Sequence, residues 1–209
     1  MGRGCVRRWE ARVERNFYWV SIADVPQWYI TTPVPASGGA FDEPWMFGEG
    51  HALPDPGLIK ARVRNPGQKR ALVFAGVERT PIGSEAVANV FRTHTPNDVQ
   101  LLPIIVEGEA ARYFIINATK TVDCIDEAEC RQVQHYAEDE PSPEYAGEYR
   151  WIHGLRIDPS KSGDAHVLRP RKFKTALIVS EEVKGALEQV GNLGVSFERV
   201  TGPAAPSGR

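Results

Sequence analysis

Residues 176–191 read ALIVSEEVKGALEQVG, and their hydrophobic period changes at one serine. The letters before Ser180 are continuously apolar, as in a buried strand. After it, Val183, Ala186, Leu187 and Val190 recur at helical spacing. Ser180 can cap the helix, Glu181 and Glu182 suit its positive end, and Gly191 supplies a stop. A strand that runs straight into a short amphipathic helix directs the chain toward a mixed fold.

The remaining segments agree on the class. FYWVSIA (17–23) and WYITT (28–32), split by DVPQ, are expected to form an early pair of strands. LIKARVRN (58–65) alternates apolar and basic residues, and NPGQ supplies turn chemistry before ALVFAG (71–76), so a hairpin is expected there. TPIGSEAVANVFRTH carries a second helix, with Ser84 as N-cap and Val87, Val90 and Phe91 on one face. VQLLPIIVEG and ARYFIINATKTVDCI read as strands joined through GEA. YRWIHGLRID and HVLRP read as another strand pair, with Trp151 and His153 turned inward, and VSFERV as a last strand. Strands in runs, with separated helices and no regular βαβ alternation, predict an α+β fold: a largely antiparallel sheet with about three helices. Residues 1–16 read as a polar extension, 17–200 as a single domain and 201–209 as a loose tail.

The third expected helix lies in TVDCIDEAEC (121–130), where two of the three cysteines meet four acids. Cys124 and Cys130 are six residues apart with no second cysteine pair, which does not suit a structural zinc site. Strand alternation makes Cys124 a small core residue beside Ile116 and Ala118. Asp126 then caps a helix from Glu127 to Ala137, with Glu127 and Arg131 spaced for an ion pair.

Charge limits the partners. With 25 basic and 27 acidic residues, net −2, no global field draws the chain to nucleic acid or an anionic membrane. No apolar run approaches the roughly 18 residues of a membrane span, and MGRGCVRRWEARVERN lacks the apolar centre of a signal peptide. With only three cysteines, a reducing cytoplasmic setting is expected.

Three stretches remain as candidate sites. Glu138, Asp139, Glu140, Glu144 and Glu148, interleaved with Tyr136, Tyr145 and Tyr149, can meet a basic patch on a protein partner, although on these residues alone a solvated loop explains them better. The Pro/Gly-rich run 33–57 carries Phe41, Trp45, Met46 and Phe47 and reads as an ordered loop or a partner-facing flap. RPRKFK gathers Arg169, Arg171, Lys172 and Lys174, which can contact phosphates, although a solvated strand edge explains them better. GEGH (48–51) and the pair Glu181 and Glu182 offer acid–base groups with nothing to fix their mutual geometry.

NDVQLLPIIVEG, YFIINATKTVDCIDEAEC, GEYRWIHGLRIDPSKSGDAHVLRP and FKTALIVSEEVKGALEQVGNLGVSFERV together resemble a myxobacteria-rich family of predicted immunity proteins from bacterial polymorphic toxin systems, formerly a domain of unknown function. The likeness is most specific over residues 97–200. It implies a small cytoplasmic protein, encoded beside a toxin gene, that binds and neutralises the toxin without enzymatic activity, cofactor or metal. Glu138, Asp139, Glu140, Glu144, Tyr145 and Glu148 are the expected contact residues, with Trp45 and Phe47 as the other candidates. The rival readings are a small hydrolase that reverses a toxin's modification and a nucleic-acid-binding accessory domain.

Overall fold

The computed structural model describes residues 15–137 and 145–202. Its strands are β1 (Phe17–Ile22), β2 (Tyr29–Ile30), β3 (Val34–Pro35), β4 (Ile59–Asn65), β5 (Leu72–Ala75), β6 (Thr80–Ser84), β7 (Val99–Glu107), β8 (Tyr113–Ala118), β9 (Thr121–Val122), β10 (Gln132–His135), β11 (Tyr149–His153), β12 (Val167–Pro170), β13 (Leu177–Ser180) and β14 (Val195–Arg199). The helices are α1 (Glu85–His94) and α2 (Glu181–Val190). One sheet has the order β14-β1-β13-β12-β9. A larger one has the order β2-β4-β7-β8-β6-β5, with β3 also on β4, and β10 and β11 form a separate ribbon. Only β4–β7 and β9–β12 pair in parallel among the described residues, so the fold is mixed and largely antiparallel.

Both helices leave a strand through a serine. Ser84 and Ser180 have extended backbones, and their hydroxyls accept the amides of Val87 (3.5 Å) and Val183 (3.4 Å). Gly191, at φ +70°, ends α2 in a conformation that glycine adopts without a Cβ penalty. The helices pack on each other and close one core between the sheets: Val87, Ala88, Phe91, Val183 and Leu187 meet Val20, Val167 and Val179 from one sheet and Leu72, Phe114 and Ile116 from the other.

Because no ladder joins the sheets among the described residues, polar joints fix their relation. Asp98, buried at the start of β7, accepts the amides of His166 (2.7 Å) and Val167 (3.2 Å) at the start of β12. At the other end, Gly194 donates to the Leu72 carbonyl and accepts from Ala23, and Ala71 donates to Asn192. A Cβ at Gly194 would stand 3.0 Å from that Leu72 oxygen and press on the Gln27 carboxamide.

Each sheet has a second core on its other face. Loop 36–58 covers the seven-stranded sheet, with Phe47 set among Trp28, Ile59, Ile104 and Ile115 and edge-on to Phe41. The loop's backbone groups find partners below it. Gln100 exchanges two hydrogen bonds with Leu53, Asn117 donates to the His51 carbonyl, and Thr121 donates to the Gly50 carbonyl. The run 33–57 is therefore an ordered cover. Behind the five-stranded sheet, Cys124, Ile152, Leu155 and Ile157 pack on Phe17, Leu168 and Ile178.

Several expected pairings give way to long-range ones. β1 and β2 belong to different sheets. β4 pairs β2, β3 and β7 rather than β5, and β12 pairs β9 and β13 rather than β11. The expected strand 113–125 breaks after Ala118, where the Thr119 amide turns to the Asp98 carbonyl, so Cys124 is buried in a different core from Ile116 and Ala118. The third helix is absent. The Asp126 carbonyl accepts the amides of Glu129 and Cys130, making a single turn, and the chain then becomes β10, with Val133 inward opposite Ile152. Trp151 and His153 are exposed, because the inward place on β11 belongs to Ile152. At the termini, Asn16 donates to Glu181, and Thr201, expected in the loose tail, is buried with its hydroxyl accepting the Phe17 amide.

Asp98→Ala leaves two amides without their acceptor and is expected to lower unfolding stability by about 2–4 kcal/mol in urea, with Asp98→Asn losing less; an unchanged midpoint would remove Asp98 as the joint. Burial pushes the Cys124 thiol up to about 12. In a Cys5→Ser background it should therefore resist iodoacetamide near pH ~8 until urea is added, because the thiolate is the reacting form. Native-rate labelling equal to the unfolded rate would contradict this.

Candidate partner-binding hairpin

The ribbon β10–β11 pairs Val133 with Ile152 and Gln134 with Trp151, and its register shifts between Gln134 and His135. Val133 and Ile152 anchor it on the third core. Alternation then sends Gln132, Gln134, Trp151 and His153 outward. Trp151 is 40% exposed, and its indole N–H is held by the Gln134 carboxamide oxygen, so a large ring is fixed in solvent.

Beyond the register shift, the inner side is tied down. The Tyr149 hydroxyl donates to Glu127 at 2.5 Å, the His135 ring lies tilted against the Tyr149 ring with centroids 4.5 Å apart, and His135 Nε2 lies 3.5 Å from the same Glu127 carboxylate. Burial, reinforced by the bond to Glu127, raises the Tyr149 phenol above its ordinary range and keeps it a donor. At the tip, Tyr136 and Tyr145 lie 5.6 Å apart, Arg150 stands over the Tyr136 ring, and Tyr145 is 45% exposed. Glu148 is half-buried and pairs through its carbonyl with the Tyr136 amide. Glu138, Asp139, Glu140 and Glu144 lie outside the described residues.

RPRKFK meets the hairpin at Tyr149, toward its tip, and the 33–57 loop reaches RPRKFK through Glu49. The Tyr149 amide donates to the Lys172 carbonyl, the Tyr149 and Phe173 rings meet edge-on at 6.3 Å, and Lys174 Nζ reaches Glu49 Oε2 at 2.5 Å. Glu49 follows the 3-10 turn Met46–Gly48, beside Trp45, which is 51% exposed. Phe47, only 1% exposed, is a core residue and leaves the surface set, because the loop needs its ring as an anchor. RPRKFK also divides. Arg171 and Lys172 are exposed, whereas Arg169 is buried, donates to the Lys174 carbonyl and has its pKa drawn down to about 10 by desolvation, against the pull of Glu49.

Acid–base groups meet elsewhere without forming a catalytic relay. Glu182 lies 2.9 Å from His94 Nδ1 and 3.6 Å from His166 Nδ1, and Ser180 Oγ lies 3.0 Å from the same His166 nitrogen. Serine and acid thus address one ring atom, whereas a relay needs both. The bond from His94, helped by the charge of the histidines, holds Glu182 below its ordinary range. Cys130, half-buried, accepts the Arg156 amide on its sulfur at 3.2 Å, and burial raises its thiol. Among the described residues, no three His, Cys, Asp or Glu side chains gather to hold a metal, and no helix is long and apolar enough to cross a membrane.

Trp151, expected inward, faces solvent; the alternation of YRWIH fits either face until Ile152 is assigned inward. No curated protein matches the chain. Residues 82–202, which run from within β6 past β14 and include the whole described hairpin, match the immunity protein family Imm11. That match spans more than half of the sequence and agrees with the resemblance carried by its strand and helix segments: the chain belongs to the Imm11 immunity protein family.

Proposed function

We propose that the protein neutralises a cognate toxin, encoded by an adjacent gene, by binding its active domain one to one in the cytoplasm, with no cofactor and no chemistry on the toxin. Membership of an immunity family supports the partner class. The observation that carries the binding mode is the hairpin: exposed Trp151 and Tyr145 are held by neighbouring side chains at the base of an acidic segment, within the family-matched residues. Rigid aromatic rings lose little entropy on docking and make the strongest interface anchors, and the acids of 138–148 add complementarity to a basic toxin surface. A standard interface of about 1,600 Å² then suffices for tight occlusion.

Titrating toxin activity with this protein should give a one-to-one endpoint and a stable complex on gel filtration; protection at substoichiometric amounts would replace occlusion with catalysis. Trp151→Ala and Tyr145→Ala should each weaken binding by about 2 kcal/mol, roughly thirtyfold, with an unchanged urea midpoint. Charge reversal at Glu138, Asp139, Glu140 and Glu144 should slow association and abolish protection at physiological salt. If these variants protect as well as the parent, the hairpin is not the toxin-facing surface.

A further inference from the structure

α1 covers only part of the sheet face on which it lies. It packs against β6 and β8, while the next strand, β7, leaves Pro103, Ile105 and Glu107 exposed on that side. The parallel register sets Lys60 beside Ile105 and Arg62 beside Glu107 on this open face, and Arg64, at the irregularity where β4 meets β2, lines the same groove as both. The expected half-buried strand LIKARVRN therefore turns its basic half to solvent above Ile59 and Ala61, which are buried on the opposite side. Leu58 is 74% and Ile105 52% exposed. A groove of about 490 Å³ runs along the cations between Tyr29, Val34 and Val77, and another of about 470 Å³ lies over Leu58, Pro103 and Ile105.

Charge on this face is unbalanced. Lys60 has Glu107 at 3.7 Å, but Arg62 and Arg64 have no carboxylate partner among the described residues. Lys60 and Arg62, at alternate strand positions, stand about 6.6–7 Å apart, the spacing of alternate side chains on any extended chain, and Arg64 follows at the irregularity. Guanidinium groups pair with carboxylates through two parallel bonds, which favours arginine for this task. The exposed apolar side chains beside the row, Leu58, Val77 and Ile105, are aliphatic and Tyr29 is half-buried, whereas nucleic-acid strands bound without sequence preference rest on exposed aromatic platforms.

We infer that this face is a second interaction surface, which docks an extended acidic segment of a protein partner, its alternate carboxylates meeting Lys60, Arg62 and Arg64 and an aliphatic side chain settling on Ile105 and Leu58. It does not rest on the hairpin reading. The test is fluorescence anisotropy in the absence of toxin, using a labelled peptide that alternates glutamate with threonine and ends in leucine, a lysine-for-glutamate control, and a single-stranded oligonucleotide of equal charge. The glutamate peptide should bind saturably at low salt and the lysine control should not. Arg62→Glu with Arg64→Glu should weaken binding by about tenfold or more, while Arg62→Lys with Arg64→Lys retains part of it. Ile105→Ser should weaken the peptide and leave any oligonucleotide binding unchanged. All variants should keep the parent's urea midpoint, since the altered side chains lie on the surface. Absence of saturable peptide binding, indifference to the double arginine reversal, or tighter binding of the oligonucleotide through the same arginines would each overturn the assignment. Any of these results would leave the toxin titration unaffected.

Discussion

The helix pair between two unlinked sheets is the constraint on which the architecture depends. No ladder crosses between the sheets among the described residues. α1 and α2 supply the missing apolar surface through Phe91, Val87, Val183 and Leu187, and removing a ring such as that of Phe91 from such a core typically costs about 3–5 kcal/mol. Apolar packing is weakly directional, however, and would let the sheets slide. The Asp98 carboxylate at one end and the close backbone approach at Gly194 at the other convert a greasy contact into one fixed arrangement. The serine caps belong to the same device, because they decide where each strand stops and its helix begins.

That division explains what could be read from letters alone. Ser84, Ser180 and Gly191, the strands 17–22 and 195–199, and the β7–β8 hairpin all follow from local rules of period, capping and turn chemistry. Most of the expectations that failed concern pairing. β4 and β5 are close in sequence with turn residues between them, yet β4 finds β7 forty residues later, because its apolar half, Ile59 and Ala61, is needed in the core with Ile104 and Val106. CIDEAEC carried sound helix-opening signals and completed one turn. Pairing Val133 with Ile152 buries apolar surface over the third core, which a short isolated helix over 127–137 does not match.

The same logic governs the candidate surface. Acids and tyrosines were visible as composition, but which rings face solvent was decided by register. Phe47 and Trp45 look equivalent in sequence; a loop of this length over an apolar sheet needs an anchor, and the residue within the 3-10 turn takes that role while its neighbour is left outside. Gln100 and Asn117 gave no signal at all. They are polar letters inside strands, and their work of holding the loop backbone shows only when the loop lies on them.

A net charge of −2 conceals a segregated distribution. The acids of 138–148 concentrate in one short connection, and the cations of β4 line an uncovered sheet face. Screening confines each field to about 8 Å at physiological ionic strength, so a partner responds to the patch it approaches and not to the whole-chain charge. A near-neutral total therefore weakens long-range steering without weakening either local surface. It also keeps the chain from attracting polyanions at random, which suits a protein whose recognition has to be specific. The open sheet face carries a cost in exposed aliphatic area, since Leu58 and Ile105 would be safer as polar residues. Stability alone does not account for their place beside Arg62 and Arg64, which have no carboxylate partner among the described residues.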